Sequence, residues 1–350
     1  MPAETDGDTG WVLDRARRLA TDVLGPAAMT VEATQRVPRE HLDLLATAGF
    51  YGLAGPRSAG GLDLPLPTFC RVIEILASGC LSTTFIWLQQ HSAVRAIAGP
   101  VPAALRAELL GPLCRGTRRA GLALAGTLPG PPRLRARAVP GGYRLDGSSP
   151  WVTGWGHIDL LYTAARDEQD DIVWAVLDAQ AGGTLSAQPL PMVAVMASAT
   201  VELCFDDHFV PAGRVTGTMS QSAWQQRDRG ALRPNGSLAL GLAARCCELI
   251  GPGPLDVQLD TCRAALDSAG PDRLPAARAA AAELAVRAAS ALVVTAGSAA
   301  IRLDHDAQRL AREALFLLVF GSRPAIRQSL GSLLTAGPHG QDGEAGGAAR

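Results

Sequence analysis

Hydrophobic residues recur at helical spacing along the first third of the chain and again from about Leu238 onward. Apolar residues three or four positions apart place one face of a helix against a core. In the first third this spacing predicts helices over 11–35, 38–49, 68–98 and 101–115. Gly25-Pro26 is expected to break the first helix. Pro38 and Gly49 are expected near the start and at the end of the second.

Between about 119 and 215 the pattern changes to short apolar runs separated by Gly and Pro, which is typical of strands. The predicted strands are Ala120–Ala125, Leu134–Ala138, Tyr143–Leu145, Leu160–Ala165, Ile172–Asp178 and Val201–Phe205. Runs this short and this regularly interrupted favour a small antiparallel sheet, closed as a β-barrel. From Leu238 onward, Ala, Leu and Arg at helical spacing predict a helical bundle.

These changes of pattern predict an α+β chain. We expect an N-terminal helical domain over 1–118, a middle antiparallel β-barrel domain over 119–215 and a C-terminal four-helix bundle over 216–335. The segment 336–350 is rich in Gly and polar residues, and we expect it to be disordered. A chain of 350 residues can bury a core large enough for such a division.

Composition excludes several classes of function. The chain has 32 Lys and Arg against 33 Asp and Glu, so no excess positive charge would attract nucleic acid or an anionic membrane. The apolar run Ala314–Phe320 is too short to cross a bilayer, and the acidic N-terminus does not have the pattern of a secretory signal. We therefore expect a soluble cytoplasmic protein.

The cysteines and histidines give no metal-binding pattern. Seven cysteines occur without a Cys-x-x-Cys pair, and they are interpreted as reduced thiols of the core. His305 lies between Asp304 and Asp306, but adjacent side chains point in different directions. A solvated turn is the better interpretation. We expect no metal site.

The segment Gly142–Asp159 carries the clearest chemical signal. Trp151 and Thr153 lie two residues apart, and on a regular strand they would share one face. An aromatic ring and a hydroxyl on one face can pack and hydrogen-bond a flat heteroaromatic cofactor. The alternative, in which Trp151 anchors the sheet and Thr153 is an ordinary strand residue, stays open.

This segment resembles the acyl-CoA dehydrogenase family of flavoproteins, whose middle sheet carries Tyr-x-Leu-Asn-Gly-x-Lys-x-Trp/Phe-Ile-Thr-Asn-Gly. The matching residues are Tyr143, Leu145, Asp146, Gly147, Trp151, Val152, Thr153 and Gly154. Further matches are Val201–Asp207 with Val210-Pro211, Gly241-Leu242-Ala243, and Arg312 with Ile326. Together they cover most of 35–330, and the resemblance implies the family's α+β fold.

In this family a glutamate removes the α-proton of an acyl thioester while a hydride passes to flavin. Counting from Arg312-Glu313 places Gly321 at the position of that glutamate, or Phe320 if the register moves by one. Some members carry the base on the helix that opens the C-terminal domain, but here 229–233 contains no carboxylate. The resemblance therefore implies a divergent member that lacks the usual base.

The family's FAD contacts are only partly present. The resemblance assigns Trp151, Thr153, Leu122 and Leu124 to the flavin side of the sheet. The threonine of the family's Thr-Glu-Pro-Gly-Ala-Gly-Ser-Asp loop is replaced by Ala125, and Thr127 is a weak substitute. The segments that bind the FAD pyrophosphate from a second subunit reduce to Arg263 without Phe-Gly, and to Val294–Ser298. We expect weakened FAD binding, completed by a partner subunit or absent.

The resemblance places the substrate near the helix that contains Gln89 and His91. His91 is a candidate base, since its ordinary pKa lies near neutrality, although a structural role is commoner for such a residue. Arg233, with Arg227 and Arg229, could meet the phosphates of coenzyme A or of a carrier-protein arm. A salt-bridged helix entrance explains these arginines equally well.

Three functions stay open on this evidence. The chain could be an acyl-thioester dehydrogenase with a displaced base, with a flavin-dependent monooxygenase as a variant. It could be the base-deficient subunit of a heteromeric dehydrogenase, in a heterotetramer rather than a homo-oligomer. It could also be a flavin-free protein with a non-redox or binding function.

Overall fold

A computed structural model describes residues 9–335. The predicted disorder of 336–350 lies outside the described residues. The helices are α1 Gly10–Leu19, α2 Gly25–Thr34, α3 Arg39–Thr47, α4 Leu66–Gly79, α5 Leu81–Ala98, α6 Ala103–Arg115, α7 Gln221–Asp228, α8 Leu232–Ile250, α9 Pro254–Ser268, α10 Leu274–Ala296, α11 Asp306–Val319 and α12 Pro324–Thr335. The strands are β1 Ala120–Ala123, β2 Leu134–Val139, β3 Gly142–Val152, β4 Leu160–Arg166, β5 Ile172–Asp178, β6 Leu185–Pro189, β7 Val201–Pro211 and β8 Val215–Met219.

The predicted α+β class is confirmed, with helices on both sides of a central run of strands. The break predicted at Gly25-Pro26 is wrong. A π-helical turn, Ala20–Leu24, joins α1 to α2, and Pro26 occupies the first turn of α2. The Gly25 N–H donates to the Ala20 carbonyl five residues back, a π-type hydrogen bond, and the chain passes Pro26 without leaving the helical conformation.

The eight strands form one sheet in the order β6-β7-β3-β2-β4-β5-β8, with β1 beside β4. Most neighbours are antiparallel, as expected. The pairs β1 with β4 and β2 with β4 are parallel, which makes the sheet mixed. The sequence pattern missed β6 and β8, which lack continuous apolar runs. The domain boundary predicted at 215 falls on the first residue of β8, which pairs with β5.

A glycine sets the distance between the N-terminal and C-terminal helices. On α8, a Cβ at Gly241 would lie 2.4 Å from the carbonyl oxygen of Glu74 and 2.7 Å from the Cβ of Ala77, both on α4. No side chain fits at that distance, so α4 and α8 pack backbone to backbone. Buried residues of both helical regions join in one core, while the sheet has its own core and a further cluster under α5 and α6.

Candidate functional site

Trp151 leaves the regular path of β3. Its φ is 64°, and the pairing of β3 with β7 shifts between Ser149 and Val152. A left-handed backbone costs an L-residue about 1–2 kcal/mol. The Trp151 side chain is 65% exposed, whereas Val152 and Thr153 are buried. The regular alternation on which the prediction of a shared face depends is interrupted here, since the register shifts before Val152 and Thr153 follows the last residue of β3.

Thr153 belongs to a buried chain of hydroxyls. Its Oγ1 lies 3.2 Å from Oγ1 of Thr200, which lies 2.8 Å from Oγ of Ser198. The backbone beside these residues is also strained, since Val195 and Ala199 both have φ of 49° and Val195 is fully buried. Strain in a β-branched residue persists only where the surroundings enforce it, and such positions cluster at binding sites.

The two segments in which the resemblance places a base lie side by side. Gly321 follows α11 with φ of 59°, and a Cβ there would lie 3.0 Å from Nδ2 of Asn235 on α8. Neither Gly321 nor Phe320 has a group that accepts a proton. A glutamate at 321 would need both a left-handed backbone and movement of Asn235.

A carboxylate that sequence reasoning missed lies at this junction. Asp228, at the end of α7, accepts hydrogen bonds from Nη2 of Arg323 at 2.8 Å and from its Nε. Arg323 Nη1 donates to the Gly321 carbonyl at 3.2 Å. Asp228 directly precedes the segment 229–233, in which the resemblance places the base of some family members. A wider window around that segment would have found it, but nothing in the sequence pairs it with Arg323.

Three phenylalanine rings connect α5 to the end of α11. The centroid of Phe85 lies 5.0 Å from that of Phe316 and 4.9 Å from that of Phe320, and Phe316 stacks on Phe320 at 5.3 Å. Such pairs stabilise packing beyond the area they bury. Phe320 therefore fills space between α11 and the helix that carries Gln89 and His91.

His91 lies deep in the helical core and is 2% exposed. It packs edge-on against Phe69 and Trp87, and within the described residues neither ring nitrogen has a hydrogen-bond partner. Burial lowers the pKa of His91 well below its usual range, and the positive charge of Arg95 lowers it further. Gln89 is half-buried and donates to the Phe85 carbonyl at 3.0 Å.

Arg233 is also buried. Its Nε donates to Asp267 at 2.7 Å and its Nη1 donates to Ser237 at 2.7 Å. At 6% exposure, this guanidinium has its charge balanced inside the fold. Arg233 is thus bonded to Asp267 and Ser237, whereas Asp228 is bonded to Arg323, although both groups lie near the start of α8.

The other residues predicted to contact the cofactor differ in burial and in their hydrogen-bond and ion-pair partners. Leu122 and Leu124 are half-buried on and after β1. Thr127 donates its hydroxyl to the Leu124 carbonyl at 2.8 Å, so its donor is used within the loop. Arg263 is paired with Glu74 and Asp260. A second anion at Arg263 would have to compete with both carboxylates.

All seven cysteines are free, and all but Cys204 are buried. In residues 9–335 no three metal-ligating side chains come together.

The helical span Leu274–Ile301 has the length and apolar composition of a membrane-crossing helix, but a core helix can also have them. Here α10 packs in the bundle with α8, α9, α11 and α12.

Comparison with known proteins gives concordant results. Residues 10–117 match the family model described as acyl-CoA dehydrogenase, N-terminal domain. Benzylmalonyl-CoA dehydrogenase of Aromatoleum aromaticum is 27% identical over 214 residues, which cover 57% of this chain and 55% of that protein. The chain spans about half the length of the first curated relatives it matches.

Solved structures share the fold over nearly the whole chain. Butyryl-CoA dehydrogenase from Megasphaera elsdenii has a TM-score of 0.82 at 17% identity, covering 95% of this chain and 100% of that one. A glutaryl-CoA dehydrogenase from Mycobacterium smegmatis in complex with FADH2 has a TM-score of 0.80 at 18% identity, covering 94% and 95%.

Proposed function

Because this chain belongs to the acyl-CoA dehydrogenase family, we propose that it binds FAD and acts on an acyl thioester carried by coenzyme A or a carrier protein. The observation that carries the proposal is Trp151, whose exposed ring is held on a strained backbone. Backbone strain of this kind persists where the surroundings enforce it, and it clusters at binding sites. A flat isoalloxazine is a suitable partner for that ring.

The residues present fit the flavin ring better than the rest of the cofactor. Trp151 would pack against the ring, and the buried chain from Thr153 to Ser198 would fix the strand beneath it. The Arg263 guanidinium, already paired with two carboxylates, offers little to a pyrophosphate. When bound, FAD supplies a hydride acceptor. We infer that the chain alone binds FAD weakly.

The proton acceptor is the second part of the proposal. Gly321 and Phe320 cannot accept a proton, and Asn235 lies against Gly321. His91 is enclosed by aromatic rings and its lowered pKa makes it a weak base, which argues against a catalytic role. We propose that this chain acts as the base-deficient subunit of a heteromeric dehydrogenase, in which a related chain supplies the carboxylate and the missing FAD contacts.

Two alternative functions are kept. The Phe85, Phe316 and Phe320 cluster fills space between α5 and α11, which favours a flavin-free protein with a binding function. A flavin-dependent monooxygenase would need no base to remove an α-proton.

The test begins with the absorbance spectrum of the purified full chain, before and after incubation with FAD. The proposal expects weak flavin binding that rises when the chain is co-expressed with a related dehydrogenase-like chain. Dehydrogenase activity should appear in the mixed oligomer and in neither chain alone. A chain that stays colourless in both preparations contradicts the flavin proposal, and full activity of the chain alone contradicts the subunit role.

A further inference from the structure

A cavity of about 300 Å³ lies where the N-terminal helices meet one end of the C-terminal bundle. Its walls come from the π-helical turn and α2, the end of α4, the last two turns of α8 and the first residue of α11. A volume of this size is typical of a small-molecule site. The polar residues that line the cavity are Thr21, Ser78, Arg245, Glu248 and Asp306.

The cavity is separate from the positions considered for the base. Helix α11 has fourteen residues and begins at Asp306, so the rise of the helix places Gly321 about 20 Å from the cavity. None of the described residues that line the cavity belongs to a strand of the sheet that carries Trp151. A ligand in this cavity would therefore bind independently of the proposed flavin and thioester.

The π-helical turn Ala20–Leu24 leaves one backbone acceptor without its partner. The Gly25 amide donates to the Ala20 carbonyl, and the next bond of this type would run from residue 26 to the Thr21 carbonyl. Residue 26 is a proline, which has no amide hydrogen. Carbonyl groups point toward the C-terminal end of a helix, so the Thr21 oxygen is directed at Gly25 and Pro26, which line the cavity. Single π-type turns within α-helices are frequent at functional sites.

The end of α4 adds further acceptors. This helix ends at Gly79, where a Cβ would lie 2.8 Å from the Ala20 carbonyl oxygen, so the two backbones are in direct contact. Ser78 donates its hydroxyl to the Ile75 carbonyl at 2.8 Å, which leaves the hydroxyl oxygen able to accept. Neither α4 nor α8 has a basic residue in its last turn. The carbonyl groups at the C-terminal end of a helix favour positive charge.

The charged side chains of the cavity leave carboxylate oxygens unpaired. Asp306 accepts two hydrogen bonds from Arg309, both at Oδ1, and Glu248 accepts one from Arg245 at Oε2. Within residues 9–335, Asp306 Oδ2 and Glu248 Oε1 have no hydrogen-bond partner. The remaining N–H groups of Arg245 are donors, but the two carboxylates that line the cavity outnumber this cation. The cavity therefore favours a ligand that is cationic and donates hydrogen bonds.

We propose that this cavity binds a small aliphatic primary amine in its ammonium form. The ammonium group has three N–H donors and no acceptor. The Thr21 carbonyl and the unpaired carboxylate oxygens of Asp306 and Glu248 accept these bonds, and the bonds to the carboxylates are charge-assisted. The alkyl chain of the amine packs against Pro26 and Met29, which also line the cavity.

Calorimetric titrations of the full chain with three compounds test this class of ligand. Butylamine is protonated at pH 7, as a lysine side chain is. Butan-1-ol has the same chain without the charge, and tetramethylammonium has the charge without an N–H donor. We expect butylamine to bind saturably and at least about tenfold more tightly than either of the other compounds. Butylamine that does not saturate, or that binds no more tightly than the other two, overturns the inference.

Pro26→Ala is the most specific variant, because it leaves every side-chain acceptor in place. Its new amide hydrogen can bond to the Thr21 carbonyl and so compete with the ligand. We expect butylamine to bind about tenfold more weakly to this variant. The matched control is Pro275→Ala, since Pro275 is the second residue of α10 as Pro26 is of α2, and it does not line the cavity.

Glu248→Gln tests the charge of the cavity at an exposed position. We expect it to weaken the binding of butylamine about tenfold, because the amide that replaces the carboxylate carries no charge. The control is Glu108→Gln, since Glu108 is also a half-exposed helical glutamate paired with an arginine, Arg214. The inference is overturned if either Pro26→Ala or Glu248→Gln binds butylamine as tightly as its control does.

Discussion

The Asp228 carboxylate accepts two hydrogen bonds from the Arg323 guanidinium and thereby ties the end of α7 to the start of α12. The Asp228 side chain is 10% exposed. The same guanidinium donates to the Gly321 carbonyl. The pair therefore fixes the turn at Gly321, the position where the sequence resemblance predicts the base.

We predict that Asp228→Asn destabilises the protein by about 1–3 kcal/mol, because it leaves a hydrogen-bonded arginine without its counterion. The control is Asp272→Asn. The Asp272 pair with Arg229 is largely exposed, and such pairs contribute about 0–1 kcal/mol. Urea unfolding of both variants gives the comparison. Equal losses would mean that the buried pair contributes no more than a surface pair.

Gly321→Glu, which places a carboxylate where the sequence resemblance predicts the base, should not create a dehydrogenase. The φ of 59° should cost any L-residue about 1–2 kcal/mol, and the Asn235 side chain would have to move to make room for the Cβ. We expect Gly321→Ala and Gly321→Glu to lose similar stability in thermal unfolding. A Gly321→Glu variant that is as stable as the parent and oxidises an acyl thioester would contradict this account.

Replacing Trp151 should separate stability from flavin binding. Trp151→Gly removes the exposed ring but also relieves the left-handed backbone, so we expect unchanged or slightly higher stability together with loss of bound FAD. Trp151→Ala should lose FAD without the gain in stability. Absorbance after FAD incubation measures the first property and urea unfolding the second.

The control variant is Trp11→Ala, which removes a different exposed tryptophan, on α1. It measures the effect of removing an aromatic ring from the surface. His91→Ala should reduce bound FAD less than Trp151→Ala does. Equal FAD content in the Trp151 and His91 variants would place the flavin elsewhere.

His91 should make stability depend on pH in a defined direction. Its folded pKa lies below 6.5, so below about pH 6.5 the unfolded chain binds a proton that the folded chain excludes. The free energy of unfolding should therefore fall with decreasing pH, by at most about 1.4 kcal/mol per pH unit for this group. Above pH 6.5 both states are neutral and the contribution vanishes.

His91→Phe should remove that slope while keeping an aromatic ring between Phe69 and Trp87. Unfolding measured from pH 7.5 to pH 5 should show the variant gaining stability relative to the parent as the pH falls. The control is His305→Asn, which keeps a side-chain acceptor at the N-cap of α11. If the difference in unfolding free energy between the parent and His91→Phe stayed constant across this pH range, His91 would not be enclosed.

Much of the fold followed from local signals. Pro38 and Gly49 bound α3 because each favours the backbone angles found at a helix end, and Gly49 has φ of 79°. The strands β1, β4 and β5 were visible because their runs are continuously apolar. Strand β6 carries mostly exposed residues, and its pairing with β7 rather than its composition makes it a strand.

The sequence by itself determined that no carboxylate occurs at 320, 321 or 229–233, the positions where the resemblance places a base. Folding does not change which residues stand there. It also determined the helical and strand regions, because periodicity acts over neighbouring residues. Only the tertiary structure decided that Trp151 is exposed, that His91 is enclosed by aromatic rings, and that Asp228 meets Arg323 across 95 positions of chain. Burial and ion pairing depend on residues distant in sequence, whose approach is set by the packing of the whole fold.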